Sequence, residues 1–331
     1  MMKIRTALAV WTGILLAVCA AHGEGTPRVR APETPAPVRT ARPQPEPTPD
    51  IPDVINRVST PDADGEFRFP LDAKILHIWF PNIMNADEAI LLYDGEAWLI
   101  DCGDKTMGKR GAELIRRLGI TKIGRLFNSH PHHDHLDGLK VTDEAAGVGE
   151  LLVCFGTEST DSMARAVSYA EKQGIPVSLY GDGSVFAMGD GAVTLRFYAG
   201  TDPSLDMNNQ SAMAMVRYGE RTILFMADVE QPGQASLLAR TDAAELKADL
   251  LKYPHHGKSA MNDRFLDAVS PAAAVVTNRK KAEEWDGIRY LANRGIPYIY
   301  TNTPGFYLHL MTDGEHWIVE HVPQDQAEAG D

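Results

Sequence analysis

Four of the eleven histidines in this 331-residue chain fall within six positions, His130-Pro131-His132-His133-Asp134-His135. Core packing has no use for such a cluster. A neutral imidazole is a good ligand for zinc and related divalent ions, and a carboxylate among imidazoles adds charge and an oxygen donor. In an extended loop His130 and His132 can project the same way while Asp134 and His135 turn toward a neighbouring position. One loop could then serve two metal sites about 3.5–4 Å apart, the spacing that activates a water and steadies a leaving oxygen. Two later segments each place a ligand-type residue just after an apolar run: Ile223-Leu224-Phe225-Met226-Ala227 leads into Asp228, and Leu250-Leu251-Lys252-Tyr253-Pro254 leads into His255-His256-Gly257. Alone, an aspartate closing a strand is commonly a turn residue, and paired histidines are commonly surface residues. Together with the histidine loop they define a candidate site.

The elements that must position these residues begin near residue 67, where short apolar runs alternate with Gly, Asp and Asn. Residues 75–80, 89–93 and 97–100 have the pattern of strands closing on Asp101-Cys102-Gly103, and 109–118 that of a helix ending at Gly119. A strand at 123–127 runs directly into the histidine loop. Further strands are expected at 151–155, 193–198, 212–218, 222–226, 250–253, 273–277, 298–301, 306–311 and 317–321, with helices at 161–173, 234–240 and 281–293. Strands interleaved with helices predict mixed sheets flanked by helices. His77, His309, His316 and His321 lie in or beside these strands and are assigned to structure.

The pattern resembles the metallo-β-lactamase superfamily. Ser129-His130-Pro131-His132-His133-Asp134-His135 is similar to its histidine motif, and Leu99-Ile100-Asp101-Cys102-Gly103 to the earlier strand whose aspartate braces the metal loop. Asn208-Asn209-Gln210-Ser211, Phe225-Met226-Ala227-Asp228 and Tyr253-Pro254-His255-His256-Gly257-Lys258-Ser259 resemble one branch in order and spacing, the hydrolase domain of bacterial DNA-uptake (competence) proteins and their stand-alone exported relatives. The resemblance, over roughly residues 70 to 320, implies a four-layer αββα sandwich and one or two divalent ions, Zn2+ or Mn2+. Carried over, it gives His130 and His132 to the first metal, Asp134 and His135 to the second, and Asp228 to both. One of His255 and His256 completes the second site; His255, the first histidine after the strand, is preferred. No histidine lies between His135 and His255, so the usual third ligand of the first metal is missing, and Asn208, Asn209 and Ser211 stand in its region. Asp137 could orient a ligand histidine or begin a helix, and Lys258 could contact an anionic substrate.

Lys3 and Arg5 precede an uncharged run at 7–21 that has the charged start and apolar middle of a secretory signal and is short for a membrane span. The expectation is export, with a signal at 1–23, a Pro-rich disordered linker at 24–66, a hydrolase domain at 67–323 and a disordered tail at 324–331. Leu16-Ala17-Val18-Cys19 is close to a lipobox, which makes lipid anchoring at Cys19 the alternative. The mature chain is expected to have no transmembrane helix. The formal charge of −13 gives no general pull toward nucleic acid, which enters only as a substrate. The function implied is hydrolysis by activated water, with Asp134 and Asp228 at the reacting centre and a small or polymeric phosphodiester as substrate. The rivals are lactone or β-lactam hydrolysis and a metal-binding surface domain without turnover.

Overall fold

The computed structural model describes Phe69, residues 73–279 and residues 284–327, all within the compact unit Pro43–Asp331. The expected signal with Cys19, the expected linker and the start of the helix expected at 281–293 lie outside the described residues. Among the described residues fifteen strands form two sheets. The first contains β1 (Leu76–Phe80), β2 (Ala89–Tyr93), β3 (Glu96–Ile100), β4 (Arg125–Asn128), β5 (Leu151–Val153), β6 (Val177–Leu179), β14 (Phe306–Thr312) and β15 (Trp317–Pro323), in the order β15-β14-β1-β2-β3-β4-β5-β6. The second contains β7 (Val185–Met188), β8 (Val193–Tyr198), β9 (Met213–Tyr218), β10 (Arg221–Phe225), β11 (Leu250–Lys252), β12 (Ala273–Val276) and β13 (Tyr298–Tyr300), in the order β13-β12-β11-β10-β9-β8-β7. In each sheet one half is antiparallel and the other parallel, with β3 to β6 and β10 to β13 as the parallel halves.

Side-chain alternation along the strands sorts apolar residues into three separate cores. Ile78, Leu91, Trp98, Phe127, Ile223, Leu250 and Val275 face one another between the sheets. Trp79, Ile90, Leu99 and Leu126 point the other way, onto α1 (Gly108–Arg117), α3 (Leu139–Ala146) and α4 (Asp161–Gln173). Leu224, Leu251, Ala274 and Val276 likewise leave the second sheet to pack under α5 (Gln231–Leu238), α6 (Asp263–Val269) and α7 (Asp286–Asn293). Three cores require four layers. The expected αββα sandwich is therefore the observed architecture.

Caps mark the helices locally: Thr160 accepts from the Met163 N–H at the start of α4, and Gly174 ends it in a left-handed conformation. The chain continues in ordered form past the expected end of the domain at 323. Gln324 N donates to Gly305 O, and the Ala327 methyl is buried in the helix-side core of the first sheet. Among the described residues no helix is long and apolar enough to cross a membrane.

One buried acid serves no contact. Glu88 is 2% exposed, neither carboxyl oxygen has a hydrogen-bond partner, and a Cβ on Gly111 of α1 would collide with it. Burial raises its pKa from 4.5 to about 8, so the folded protein holds a proton there that the unfolded chain gives up. Between those two values the folded state binds more protons, and stability falls as pH rises, by on the order of 3–5 kcal/mol in total. Glu88→Gln is expected to flatten this decline, measured by urea unfolding at pH 5, 7 and 9. Parallel losses in both proteins would show that Glu88 does not carry it.

Candidate metal centre

The chemically loaded loops all leave the carboxyl ends of parallel strands, where open α/β sheets present their ligand sites. Asp101 follows β3, Ser129 and the histidine loop follow β4, Asp228 follows β10, His255 and His256 follow β11, and Thr277 follows β12. Ala212 N, before β9, donates to Ser129 O at 2.9 Å and ties loops of the two sheets together there, while within the first sheet Asp87 N donates to Asp134 O at 3.1 Å. The backbone is extended through His132 and then enters a single helical turn, α2 (His133–Leu136), which keeps the His135 ring against that of His130, centroids 4.1 Å apart, while its Nε2 faces Asp228. Asp101, Ala227, His255 and His256 all have positive φ, between 47° and 57°. Non-glycine residues pay for that conformation, by roughly 1–3 kcal/mol each, only where surrounding contacts enforce it.

Those contacts also fix which ring nitrogen of each histidine is free. His135 Nδ1 lies 2.8 Å from Asp101 Oδ2. His256 Nδ1 lies 3.0 Å from Thr277 Oγ1 and 3.2 Å from Asp87 Oδ1. Ser129 Oγ donates to Asp101 Oδ2 at 2.7 Å, which leaves its oxygen to accept from His130 Nδ1 at 3.1 Å. A carboxylate can only accept, so Nδ1 of His135 carries a proton toward Asp101 and Nε2 is the nitrogen that faces the site. The same holds for His256 and His130 through their own partners. This is how outer carboxylates orient metal-binding imidazoles.

The freed atoms converge. One ligand atom from each of Asp134, His135, Asp228 and His256 lies within 4.8 Å of the others. Asp228 Oδ1 is 3.4 Å from His135 Nε2 and 3.8 Å from His256 Nε2, while Asp134 Oδ2 is 3.5 Å from His256 Nε2. His135 Nε2, His256 Nε2 and Asp228 Oδ1 are buried without a hydrogen-bond partner. Each such orphan costs about 1–3 kcal/mol if nothing meets it. A divalent cation meets all three at once, so these residues fit the ion that the motif implies. Two imidazole nitrogens and two carboxylates suit zinc and manganese alike.

The electrostatics point the same way. Burial would raise Asp228, yet His135 and His256 pull its carboxyl well below the usual range. Burial would also neutralise His135, but Asp228 and Asp101 hold it well above the ordinary value, and Asp87 and Asp228 raise His256 likewise. Asp134 is lowered against burial by its contact with His256. His130, which burial and the adjacent His135 push well down, is neutral. The carboxylates of Asp87, Asp101, Asp134 and Asp228 thus face one lysine ammonium and whatever positive charge the imidazoles or an ion provide. Lys252, 2% exposed, contributes that ammonium, paired to Asp87 and donating to Ala227 O at 3.2 Å.

The first-metal half is less complete. His130 Nε2 and His132 Nδ1 face each other at 3.0 Å, and Asp228 Oδ2 is 3.8 Å from His130 Nε2. The two Asp228 oxygens therefore address different halves of the site. Of the residues in the place of the missing histidine, Asn209 is committed to the scaffold, its Oδ1 accepting from Glu230 N and Gly233 N. Ser211 Oγ donates to Met207 O. Only Asn208 keeps a buried Oδ1 without a partner.

Two expectations change. His256, not His255, supplies the nitrogen that joins Asp134, His135 and Asp228, because consecutive left-handed residues swing the second ring of the pair inward. His255 stands at the edge, its Nε2 3.5 Å from Asp228 Oδ2 and 3.0 Å from Lys258 Nζ. Asp137 orients no histidine; its carboxylate pairs with Arg165 of α4 at 2.9 Å. His133 is exposed and takes no part. Asp87, Lys252, Thr277 and Glu230 belong to the site and were not expected. For Lys252 a signal exists: it shares a strand face with the core residue Leu250, and a lysine on a core face needs a buried partner.

No protein-family model matches the chain, and no curated protein matches it. Solved structures are similar to it in fold. The metallo-β-lactamase fold protein YhfI from Bacillus subtilis is 14% identical, covering 70% of this chain and 98% of its own, with a TM-score of 0.47. The MIM-2 metallo-β-lactamase is 22% identical, with 54% and 73% covered and a TM-score of 0.36. The diiron β-hydroxylase CmlA from Streptomyces venezuelae is 15% identical with a TM-score of 0.42, covering 70% of this chain, which spans about half of the hydroxylase, 53%. At this distance the fold rests on the layers and cores above, and the site on its own geometry.

Proposed function

We propose that this protein is an exported metal-dependent hydrolase acting on phosphodiester bonds. The observation that carries the reading is the set of orphaned donor atoms on His135, His256 and Asp228, gathered with Asp134 at one mouth between the sheets. Asp134, His135, Asp228 and His256 would hold one ion, and His130, His132 and Asp228 offer a second, weaker place. When bound, such an ion supplies Lewis-acid charge that activates water and stabilises an oxyanion. The protein's part is to hold Asp134 and Asp228 ionised and fixed, and to lock each imidazole through its second nitrogen. Phosphodiesters are favoured by the resemblance to the competence branch, and small or single-stranded ones by a net charge of −13. Export is supported by Lys3, Arg5 and the uncharged run behind them.

The test is hydrolysis of bis(p-nitrophenyl) phosphate by protein stripped with chelator and reloaded separately with zinc and manganese, beside a chromogenic cephalosporin. Metal-restored diester turnover, lost in Asp134→Ala and Asp228→Ala, is expected. Diester turnover indifferent to both substitutions would sink the reading, and cephalosporin turnover alone would transfer it to carbonyl substrates.

A further inference from the structure

His255 is left without the role that its position in the motif gives it, and its surroundings supply another. Its Nδ1 lies 2.9 Å from Glu230 Oε1. Glu230 is itself fixed, its Oε1 accepting from Ser259 Oγ at 2.6 Å and its backbone N–H donating to Asn209 Oδ1 at 3.1 Å. On the far side of the ring, Nε2 lies 3.0 Å from Lys258 Nζ. A carboxylate only accepts and an ammonium only donates, so both neighbours demand one tautomer, protonated at Nδ1 and open at Nε2. The ring is thereby a spacer of fixed orientation between Glu230 and Lys258. Its Nε2 is also 3.5 Å from Asp228 Oδ2, which puts the Lys258 ammonium one hydrogen bond away from an atom in contact with the carboxylate that both halves of the site share.

We infer that Glu230 and His255 park the Lys258 ammonium at the mouth of the metal centre, where it binds an anionic oxygen of the substrate and selects phosphoryl groups. This rests on the phosphodiesterase reading for the nature of the substrate, and on geometry alone for the placing of the charge. Lysine chains lose rotamer entropy when held, so an exposed lysine normally samples solvent. Lys258 is exposed and yet tethered at its tip to His255. An incoming phosphoryl oxygen is a stronger acceptor for an ammonium than a neutral ring nitrogen, because the bond is ionic on both sides. Lys258 can exchange one for the other with little movement. A neutral lactam or lactone carbonyl can accept from the ammonium too, but without the charge that strengthens the bond to a phosphoryl oxygen. His255 is on this account a positioning residue, and Lys258 the residue that touches substrate.

The experiment separates this role from metal ligation by two direct readouts on the purified chain. Zinc content after dialysis is compared for the unaltered protein, His255→Gln, Lys258→Ala, Lys258→Arg and His256→Ala. Affinity for inorganic phosphate is measured by calorimetry on each metal-loaded protein at fixed ionic strength. Expected are unchanged zinc in His255→Gln and in both Lys258 variants, with zinc lost in His256→Ala. Phosphate should bind roughly tenfold more weakly to Lys258→Ala, and with a smaller loss to His255→Gln, as befits one charge-assisted hydrogen bond. Lys258→Arg should recover most of that affinity, and diester KM should follow the same order while kcat changes little.

Zinc lost from His255→Gln as it is from His256→Ala would make His255 a ligand and overturn the inference. So would phosphate affinity indifferent to Lys258→Ala, an absence of phosphate binding in the unaltered protein, or phosphate bound by an adventitious surface site that Lys258→Arg and Lys258→Ala affect equally. Lys258-dependent phosphate binding without diester hydrolysis would uphold it and sink the phosphodiesterase reading instead.

Discussion

His256→Ala is expected to empty the candidate metal group and abolish turnover, while His255→Ala leaves the metal in place. Loss of even an outer partner of a ligand histidine lowers metal affinity by about 10–100-fold, and loss of the ligand itself should exceed that. His256 is 3% exposed, its Nε2 is one of the three orphaned donors, and no other nitrogen in the loop after β11 enters the group. Alanine there also deprives Asp87 Oδ1 and Thr277 Oγ1 of their neighbour, so part of the effect could come through the fold. His256→Gln, which keeps volume and polarity, controls for that. It should unfold near the unaltered protein in chelator and still hold no metal after dialysis. Metal content by atomic emission decides the matter: retention in His256→Ala and loss in His255→Ala would return the ligand role to His255.

The preference for His255, where the structure brings His256 into the group, shows where sequence reading stops. The sequence carries the types and order of the candidate ligands, because four histidines in six positions have no packing explanation, and the structure brings Asp134, His135 and Asp228 together with Asp101 against His135. It carries the long strands and α4 too, since five or more residues display their period and Thr160 and Gly174 mark the helix ends. It does not carry two backbone dihedrals. With φ near 47° and 55°, the rings of His255 and His256 exchange the places that an extended chain would give them. β6 and β7, at the free edges of the two sheets, are largely outside the cores, unlike the similarly short but fully buried β5 and β11, and the eight residues of α3 and seven of α6 span barely two turns. Asp87 and Glu230 were invisible for a different reason. Each earns its place only through a partner distant in sequence, Lys252 for the one and His255 for the other.

Lys252→Met is expected to destabilise the protein by about 3–5 kcal/mol, the range for removing one partner of a buried ion pair. The ammonium is enclosed, it is the main influence holding Asp87 well below the ordinary carboxylate range against burial, and it also donates to Ala227 O. Methionine fills the same space on the β11 face that Leu250 shares, so the loss is one of charge rather than of packing. The partner change separates the two. Asp87→Asn combined with Lys252→Met removes both charges, and its destabilisation should be smaller than the sum of the single losses by at least about 1 kcal/mol, the signature of directly coupled residues. Urea unfolding in excess chelator measures this without any contribution from bound metal. Additive losses would mean that the pair does not act as a unit. The same pair reaches the metal centre, because Asp87 Oδ1 is the neighbour of His256 Nδ1 and Lys252 fixes the other oxygen of that carboxylate. Metal affinity of the folded Lys252→Met protein should therefore fall by about 10–100-fold although Lys252 touches no ligand atom of the group, as an outer-shell role requires.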